Sequence, residues 1–296
     1  MTATLITPAL PARIHAMLRL SDAAWEEITG EAPKARPRRP ARKPKAPKQL
    51  THGILYRGPS LINGAPIVVV AVYRKGRGVN AKTGAMVQTY ILPDSPDHIM
   101  DIMRDGRDVA VCGGCPHRYD YDAQGVAIPG TRTCYVNLGQ GVRVVLEGVQ
   151  LGRYATLSDD QIAEVGAERM VRLGTWGDPA AVPVAVWQRL LGKAQGHTGY
   201  THQWRSERLA APMRGLVMAS CETDADVTKA TAKGFTGTFR VLPVGQSVAP
   251  SAVCPASAEA GKVATCAECG RCDGNGGNVQ IIAHGSMARK YLPTLS

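Results

Sequence analysis

The sequence predicts an α/β fold built on a parallel sheet, arranged as a partial or complete (β/α) barrel, with a cysteine-rich C-terminal tail. A continuous β-branched run at 67–72 is typical of a buried strand. From about residue 168, short apolar strands alternate with helical patterns, which favours parallel pairing through crossover helices. After residue 242 the alternation gives way to a Ser-, Ala- and Gly-rich segment that carries four of the eight cysteines.

Each element is predicted from its own local pattern. Apolar runs bounded by turn residues predict strands, and a 3.6-residue apolar period predicts helices. The predicted strands are 67–72, 87–92, 108–112, 170–175, 199–203, 216–220, 238–242 and 279–283. The predicted helices are 96–103, a helix that ends near 150, 183–191, 206–213 and 225–233.

Composition divides the chain into four segments: a short helical segment at 1–32, a basic proline-rich linker at 33–50, the α/β barrel-like domain at 51–250 and the tail at 251–296. Eight Lys and Arg, five Pro and no acidic residue lie between 33 and 48. Removing these eight charges from the net charge of +11 leaves +3, so the rest of the chain is only mildly basic. Proline spacing and charge repulsion predict a disordered arm that binds nucleic acid or another polyanion, the alternative being a solubilising linker.

The absence of an apolar run near the ~20 residues that cross a bilayer predicts a protein without a membrane partner. The N-terminus also lacks a signal-peptide pattern, so the predicted location is the cytoplasm. Thiols stay reduced there, and the eight cysteines therefore indicate metal ligands or reactive thiols before disulfides. The oligomeric state is left open.

The stronger cysteine group lies in the tail, where Cys266, Cys269 and Cys272 form two successive C-x2-C spacings. Two-residue spacers let neighbouring thiolates surround one centre, which is typical of Zn²⁺ and of iron–sulfur sites. Cys254 is one candidate for the fourth ligand, and His284 is the other. The metal here is predicted to be structural, stapling a weakly folded tail.

The second group is Cys112-Gly-Gly-Cys115-Pro-His117, followed by Cys134. Three thiolates with an open position, or with His117 as fourth ligand, suit a reactive metal centre. The alternatives are a second structural zinc, or a redox pair made by Cys112 and Cys115 alone. Cys221 stands alone at a strand end and is interpreted as a packed core residue.

Polar residues follow three consecutive predicted strands: Asp178, then His202 and Arg205, then Glu222. The carboxyl ends of parallel strands meet at one edge, so these four residues are predicted to surround one catalytic mouth. Taken singly, Asp178 also fits a helix N-cap, His202 a satisfied core histidine, and the other two surface charges. The sequence has no Walker loop, dinucleotide fingerprint, serine elbow or H-E-x-x-H, which argues against those enzyme classes.

Short motifs follow one another over most of 53–285: Asn80-x-Lys82-Thr83-Gly84, Gly177-Asp178, Tyr200-Thr201-His202 and the tail cysteines before His284. Their order resembles an uncharacterised cysteine-rich family of bacteriophages and other mobile elements, which implies a bacterial host cell. The middle segment also resembles radical S-adenosylmethionine-type α/β barrels. That resemblance implies a [4Fe–4S] cluster on Cys112, Cys115 and Cys134, S-adenosylmethionine as a cofactor, and a second cluster or zinc on the tail cysteines. The spacers between the first three cysteines, two and eighteen residues, differ from those usual in that class.

The tail is also similar to that of base-exchanging transglycosylases, some of which modify phage DNA. This resemblance implies Zn²⁺ on Cys266, Cys269, Cys272 and His284, with Asp178 and Asp224 as candidate catalytic aspartates. The leading hypothesis is a nucleic-acid-modifying metalloenzyme of phage or mobile-element origin that uses an iron–sulfur cluster or zinc. The other hypotheses are a zinc-dependent transglycosylase-like enzyme, a radical enzyme with another substrate, and a non-enzymatic nucleic-acid-binding protein with structural zinc.

Overall fold

An eight-stranded sheet organises the described part of the chain. The computed structural model describes residues 49–76, 79–285 and 287–290, all within the unit Gln49–Ser296. The predicted helical segment at 1–32 and the basic segment at 33–48 lie outside the described residues. The strands are β1 His52–Pro59, β2 Pro66–Tyr73, β3 Met86–Pro93, β4 Met170–Trp176, β5 Gly196–Thr201, β6 Met218–Cys221, β7 Thr238–Leu242 and β8 Asn278–Ile282.

The strands are hydrogen-bonded in chain order from β1 to β8. The first three are antiparallel neighbours, and every pairing from β3 to β8 is parallel. Parallel neighbours need a crossover connection, so the carboxyl ends of β3 to β8 lie at one edge of the sheet. The prediction of an α/β fold with a mostly parallel sheet is confirmed, and the sheet is open in the described residues.

The helices that accompany the sheet are short, and some of them begin at a polar cap. Ser158 and Thr223 each form a capping box with a residue three positions later. In the described residues no helix is long and apolar enough to cross a membrane. The helices are α1 Ile99–Arg104, α2 Val109–Cys112, α3 Arg143–Gln150, α4 Asp159–Gly166, α5 Val184–Leu191, α6 Glu207–Ala210, α7 Asp224–Ala232 and α8 Cys266–Cys269.

The prediction of a strand at 108–112 is wrong, because residues 109–112 form α2. The carbonyl of Asp108 accepts hydrogen bonds from the backbone N–H groups of Val111 and Cys112. The buried Asp108 carboxylate also pairs with Arg118 at 2.6 Å, which anchors the start of this helix. A short apolar run fits a strand or a buried helix equally well by periodicity, so this contact decides between them.

Three elements are not predicted by the sequence pattern: β1, α4 and the four-residue α8. Glycines at positions 53 and 58 weaken the strand pattern of β1, and its pairing with β2 shifts register between Ile54 and Tyr56. The α4 segment has only two apolar side chains directed to the core, Ile162 and Val165. Tertiary packing therefore supplies what the local pattern of each element lacks.

Within the described residues, the buried apolar side chains form two cores. The larger one lies against β2, β3 and β4 and includes Val69, Leu92 and Leu173, none of which is exposed to solvent. The smaller one contains Cys254 and Cys272 together with Met218 of β6 and Val279 and Ile281 of β8. Two of the tail cysteines are thus buried beside the last strands of the sheet.

Gly166→Ala is expected to destabilise the fold by about 1–3 kcal/mol, the usual cost of an extra atom in a packed interior. A Cβ at position 166 would collide with the carbonyl oxygen of Leu190, a backbone atom that cannot rotate away. The matched control is Gly192→Ala, where the nearest atom is 3.4 Å from the added Cβ and φ is −57°. Urea unfolding of both variants tests this, and equal midpoints for the two would contradict it.

Candidate metal centre

One face of the sheet lines a cavity of about 490 Å³. Successive strand residues point to opposite faces, so alternate residues of a strand share one environment. On β4, Val171 and Leu173 belong to the larger core, whereas Arg172 and Gly174 line the cavity. Both cysteine groups open on this cavity: Cys112, Cys115 and Cys134, and Cys254, Cys266, Cys269 and Cys272.

The first cysteine group is built by the loop that follows α2. Cys112 ends α2, and Gly113 then takes a φ of 54°, which turns the chain sharply toward Cys115. The loop returns to the same place because the backbone N–H of Cys134 donates to the carbonyl of His117 at 3.0 Å. Removal from water raises the pKa of Cys112 and of Cys134, and the charge of Cys115 adds to this in both. A bound cation would reverse that preference and favour the thiolates.

Asp178 is buried and satisfies backbone groups. Its Oδ2 accepts from the backbone N–H of His202 at 2.8 Å, and its Oδ1 accepts from the N–H of Ala180 at 3.0 Å. Its own N–H donates to the carbonyl of Val111 in α2 at 2.6 Å. Burial raises the pKa of Asp178, although these hydrogen bonds oppose the rise. Asp178 thus caps a short turn and joins the ends of β4 and β5 to α2.

Gln203 holds the Cys-Gly-Gly-Cys loop against the end of β5. Its Nε2 donates to the carbonyl of Cys112 at 3.0 Å and to Oδ2 of Asp178 at 3.2 Å. Its Oε1 accepts from the backbone N–H of Gly114 at 3.2 Å. A single amide side chain therefore contacts both ends of the turn between the first two cysteines.

Glu222, His202, His117 and Arg205 meet at the carboxyl ends of β5 and β6. Oε1 of Glu222 lies 3.1 Å from Nε2 of His202 and 3.9 Å from Nε2 of His117. Its Oε2 accepts a hydrogen bond of 3.0 Å from Arg205. The two imidazole rings are 5.5 Å apart between centroids. Nδ1 of His117 lies 2.9 Å from the hydroxyl of Thr133, which orients that ring.

The three titratable groups of this cluster have displaced pKa values. Burial lowers the pKa of His117 to about 4, and the charge of His202 lowers it further. Burial also acts to lower the pKa of His202, but contacts with Cys115 and Glu222 outweigh it and raise that pKa well above its usual value. Burial would raise the pKa of Glu222, but hydrogen bonds from His202 and Arg205 bring it down to about 2. At neutral pH the cluster therefore holds a carboxylate, a protonated His202 and a neutral His117.

Three of the tail cysteines are held in place by backbone hydrogen bonds to two strands and to the loop before β3. The N–H of Cys266 donates to the carbonyl of Lys82, in the loop before β3, at 3.0 Å. The carbonyl of Cys272 accepts from Gly199 of β5 at 2.9 Å, and the N–H of Cys254 donates to Gln280 of β8 at 3.1 Å. The tail group is therefore fixed by non-local contacts with the rest of the fold.

Lys82 and Arg172 are two cations that interact with the tail sulfurs. Burial lowers the pKa of Lys82, while the thiols of Cys254 and Cys266 and, more weakly, the carboxylate of Glu259 raise it. Arg172 donates to the hydroxyl of Tyr135 at 2.9 Å, and its buried Nε has no hydrogen-bond partner among the described residues.

The tail thiols also affect one another. Burial raises the pKa of Cys272 to about 12, a hydrogen bond from the Tyr200 hydroxyl opposes the rise, and the charges of the other three tail cysteines add to it. Since buried charges require a counter-charge, Lys82 and Arg172 fit an anionic metal–thiolate centre.

The remaining candidate residues, His284, Cys221 and Asp224, have contacts of their own. Nε2 of His284 lies 3.2 Å from Nζ of Lys82, and its Nδ1 lies 3.3 Å from the carbonyl of Ile282. The thiol of Cys221 is buried and donates to the carbonyl of Ala219. Asp224 is 88% exposed and pairs with Arg240 in the first turn of α7. All eight cysteines are free thiols, which leaves both groups available for metal.

The cysteine sulfurs are spaced more widely than the ligands of a single tetrahedral zinc. Among the described residues, His117, His202 and Glu222 are the three His, Cys, Asp or Glu side chains whose ligand atoms all lie within 4.8 Å of one another. No three cysteine sulfurs in the described ranges lie that close. Thiolates on one Zn²⁺ lie about 3.8 Å apart, because Zn–S bonds are about 2.3 Å long. In the described ranges the sulfurs of neither cysteine group are therefore brought to the spacing of a single zinc site.

The fold and the cavity define an α/β protein with a cysteine-lined candidate metal centre. Comparison with known proteins finds no family model, no curated protein and no solved structure that matches the chain. The phage-family, radical-barrel and transglycosylase resemblances therefore stay predictions.

Several residues of the site were not predicted from the sequence. Three of them contact partners more than fifteen positions away in the chain, so no local spacing reveals them: Gln203, Thr133 and Arg172. Lys82 and Tyr200 carried a signal, because each belongs to one of the short motifs noted in the sequence. Their role as neighbours of the tail sulfurs follows only from the fold.

The two glycines between Cys112 and Cys115 are expected to tolerate alanine very differently. A Cβ at Gly113 would strike the amide of Gln203 and require a φ of 54°, so Gly113→Ala should cost about 1–3 kcal/mol and speed thiol modification. At Gly114 the nearest atom is 3.9 Å away, so Gly114→Ala should change neither quantity. Unfolding curves and the rate of reaction with a thiol reagent provide the measurements. Equal behaviour of the two variants would show that Gln203 does not hold the loop.

Proposed function

We propose that this chain is a metalloenzyme that binds iron–sulfur clusters through both cysteine groups and modifies nucleic acid. The observation that carries the proposal is that both groups line one cavity of about 490 Å³ on a single face of the sheet. This volume is in the range of small-molecule and cofactor sites, which is about 300–1,000 Å³. A purely structural zinc would require neither a shared cavity nor titratable residues beside the sulfurs.

The number of cysteines in each group suits iron–sulfur clusters. Three cysteines in the first group and four in the tail match the ligand numbers of a cluster with one open iron and of a fully ligated one. Cys112, Cys115 and Cys134 would hold the first centre. Cys254 would be the fourth ligand of the tail centre, because the His284 ring lies against Lys82.

The charges around the tail group support the same proposal. Four thiolates carry four negative charges. Zn²⁺ neutralises two of them, and an iron–sulfur cluster also leaves a net negative charge on the centre. Lys82 and Arg172 face these sulfurs and offset the remaining charge. The hydroxyl of Tyr200 donates to Cys272, and such hydrogen bonds to sulfur raise the reduction potential of a cluster.

The first group would form the reactive centre, since it adjoins the ionisable cluster at the strand ends. A cluster with an open iron supplies one-electron chemistry and a position for a ligand such as S-adenosylmethionine. Two of the chain's own side chains would act beside the cluster. Glu222, kept ionised by His202 and Arg205, would hold a cationic group of the substrate or cofactor. His202 is the neighbouring acid, and Asp178 positions its backbone.

The finer form of the fold belongs to the same proposal. Cavity-lining residues come from β4, β5, β6, β7 and β8, so the sheet would curve around the cavity as a partial (β/α) barrel. The tail, with the metal it binds, would close one side of the cavity. A cytoplasmic location in a bacterial host suits free thiols and clusters that oxygen destroys.

Nucleic acid is proposed as the substrate because of the basic segment at 33–48. Its eight Lys and Arg and its lack of acids suit contacts with phosphates of any sequence. The zinc-dependent transglycosylase alternative is less well supported, since Asp178 is buried against backbone groups and Asp224 is largely exposed to solvent.

Protein purified without oxygen is expected to be brown, to absorb near about 400 nm and to contain iron and acid-labile sulfide, with about eight irons per chain. Replacing Cys112, Cys115 and Cys134 with Ser should remove about half of the iron, as should replacing Cys266, Cys269 and Cys272. Elemental analysis and sulfide assays measure this. The matched control is Cys221→Ser, which should keep all of the iron because that thiol bonds to a backbone carbonyl. Colourless protein with zinc in both groups would refute the cluster proposal and favour the structural-zinc alternative.

Neutralising the basic segment is expected to weaken nucleic-acid binding at low salt. With the eight Lys and Arg at 33–48 replaced by Gln, the slope of log Kd against log salt should fall by about 0.9 for each duplex phosphate that the segment no longer neutralises. A variant with the same residues in scrambled order keeps the charge and should bind like the natural chain. Fluorescence anisotropy over a salt series measures the slope. An unchanged slope would rule out the segment as the phosphate-binding arm while leaving the cluster proposal intact.

A further inference from the structure

We propose that His117, His202 and Glu222 bind one divalent transition-metal ion at a site separate from the cysteine-bound centres. The ion would replace the proton of His202 and would take His202 and Glu222 from the acid and carboxylate roles given to them in the proposed function. The site adjoins the first cysteine group, because His202 also contacts Cys115, but none of its three ligands is a cysteine, so ion binding and cluster binding can be measured separately. The three ligand atoms all lie within 4.8 Å of one another. The three side chains come from the loop after α2, the end of β5 and the end of β6, so the site exists only in the folded chain.

The distances between these groups fit ligands that share an ion. Nitrogen and oxygen ligands bind Zn²⁺ at about 2.0–2.2 Å, so two ligands of one ion lie about 3.0–3.5 Å apart at angles near tetrahedral or octahedral. The separation of 3.1 Å between His202 and Glu222 falls within that range. The separation of 3.9 Å between His117 and Glu222 needs a shift of under an ångström by the imidazole.

The surroundings orient the ligands as metal sites usually require. The hydroxyl of Thr133, 2.9 Å from Nδ1 of His117, leaves the Nε2 of that ring directed at Glu222. Arg205 contacts the other carboxylate oxygen of Glu222 at 3.0 Å and is itself held by Asp226 at 3.0 Å. Such outer contacts fix ring and carboxylate orientation around a metal.

The ligand set selects the class of ion. Two imidazoles and one carboxylate suit Zn²⁺, Fe²⁺ or Co²⁺, whereas Mg²⁺ and Ca²⁺ prefer oxygen ligands. All three side chains line the cavity, so the remaining coordination positions of the ion would be open to water or to an oxygen of a substrate. The site would thus add a Lewis acid beside the first cysteine group.

The test is a titration of the full-length, anaerobically purified protein with Co²⁺ after brief dialysis against a chelator. One equivalent should bind with visible d–d bands but without the intense near-ultraviolet bands of cobalt–thiolate bonds. Glu222→Gln and His202→Ala should each weaken cobalt binding at least tenfold. Thr133→Ala should do the same, because it removes the hydroxyl that orients the ring of His117. Loss of such an orienting partner usually weakens metal binding about 10–100-fold. The matched controls are His52→Ala and Glu147→Gln, whose side chains do not line the cavity, and both should bind cobalt like the natural chain.

Iron and sulfide measured on the same samples separate this site from the proposed function. A distinct site would be established by two results together. Glu222→Gln should lose cobalt and keep its iron, and the variant with Ser at 112, 115 and 134 should lose iron and keep its cobalt. Cobalt binding in a protein without iron would uphold this site and refute the clusters. The proposal is overturned if no cobalt binds, if the cysteine variant abolishes binding, or if Glu222→Gln and Thr133→Ala bind normally. Because Thr133→Ala removes only one hydroxyl, the test stands even if His202→Ala fails to fold.

Discussion

Side-chain alternation along a parallel sheet is the constraint on which the rest of the structure depends. Because successive residues of a strand point to opposite faces, packing Val171 and Leu173 into the larger core turns Arg172 and Gly174 toward the cavity. Tyr200 and His202 at the end of β5, and Ser220 and Glu222 at the end of β6, line the same cavity. Polar residues that are scattered in sequence become neighbours because the opposite face of each strand must be buried.

The polar face is tolerated because nearly every group on it has a partner. Glu222 is ionised between His202 and Arg205, and Asp178 is hydrogen-bonded to backbone N–H groups. Arg172 is an exception, because its buried Nε has no hydrogen-bond partner in the described part of the chain. It lies near Cys266, whose pKa is raised by burial, so that the neutral thiol is favoured there. A metal–thiolate anion would resolve both conditions at once, which is the physical reason to expect metal there.

The two cysteine groups are supported in different ways. The first is attached to the larger core through Gln203 and Asp178, which hydrogen-bond to the backbone of α2 and the following turn. The tail group is anchored by backbone bonds to β5, β8 and the loop before β3. The firm attachment of the tail group suits a structural centre, and the position of the first group beside Glu222 suits a reactive one.

Local spacing and apolar periodicity were enough to predict the α/β class and the approximate strands from residue 170 onward, and they indicated that polar residues follow β4, β5 and β6. The metal and catalytic roles given to the cysteines and to these polar residues stay predictions. Spacing and periodicity misjudged 108–112, where a short apolar run fits a strand or a helix and the buried Asp108–Arg118 pair decides for the helix. Only the tertiary structure placed both cysteine groups on one cavity and brought His117 from its loop to Glu222. The reason is that these contacts join residues about a hundred positions apart, and their distances are set by how the strands pair and which face each one buries.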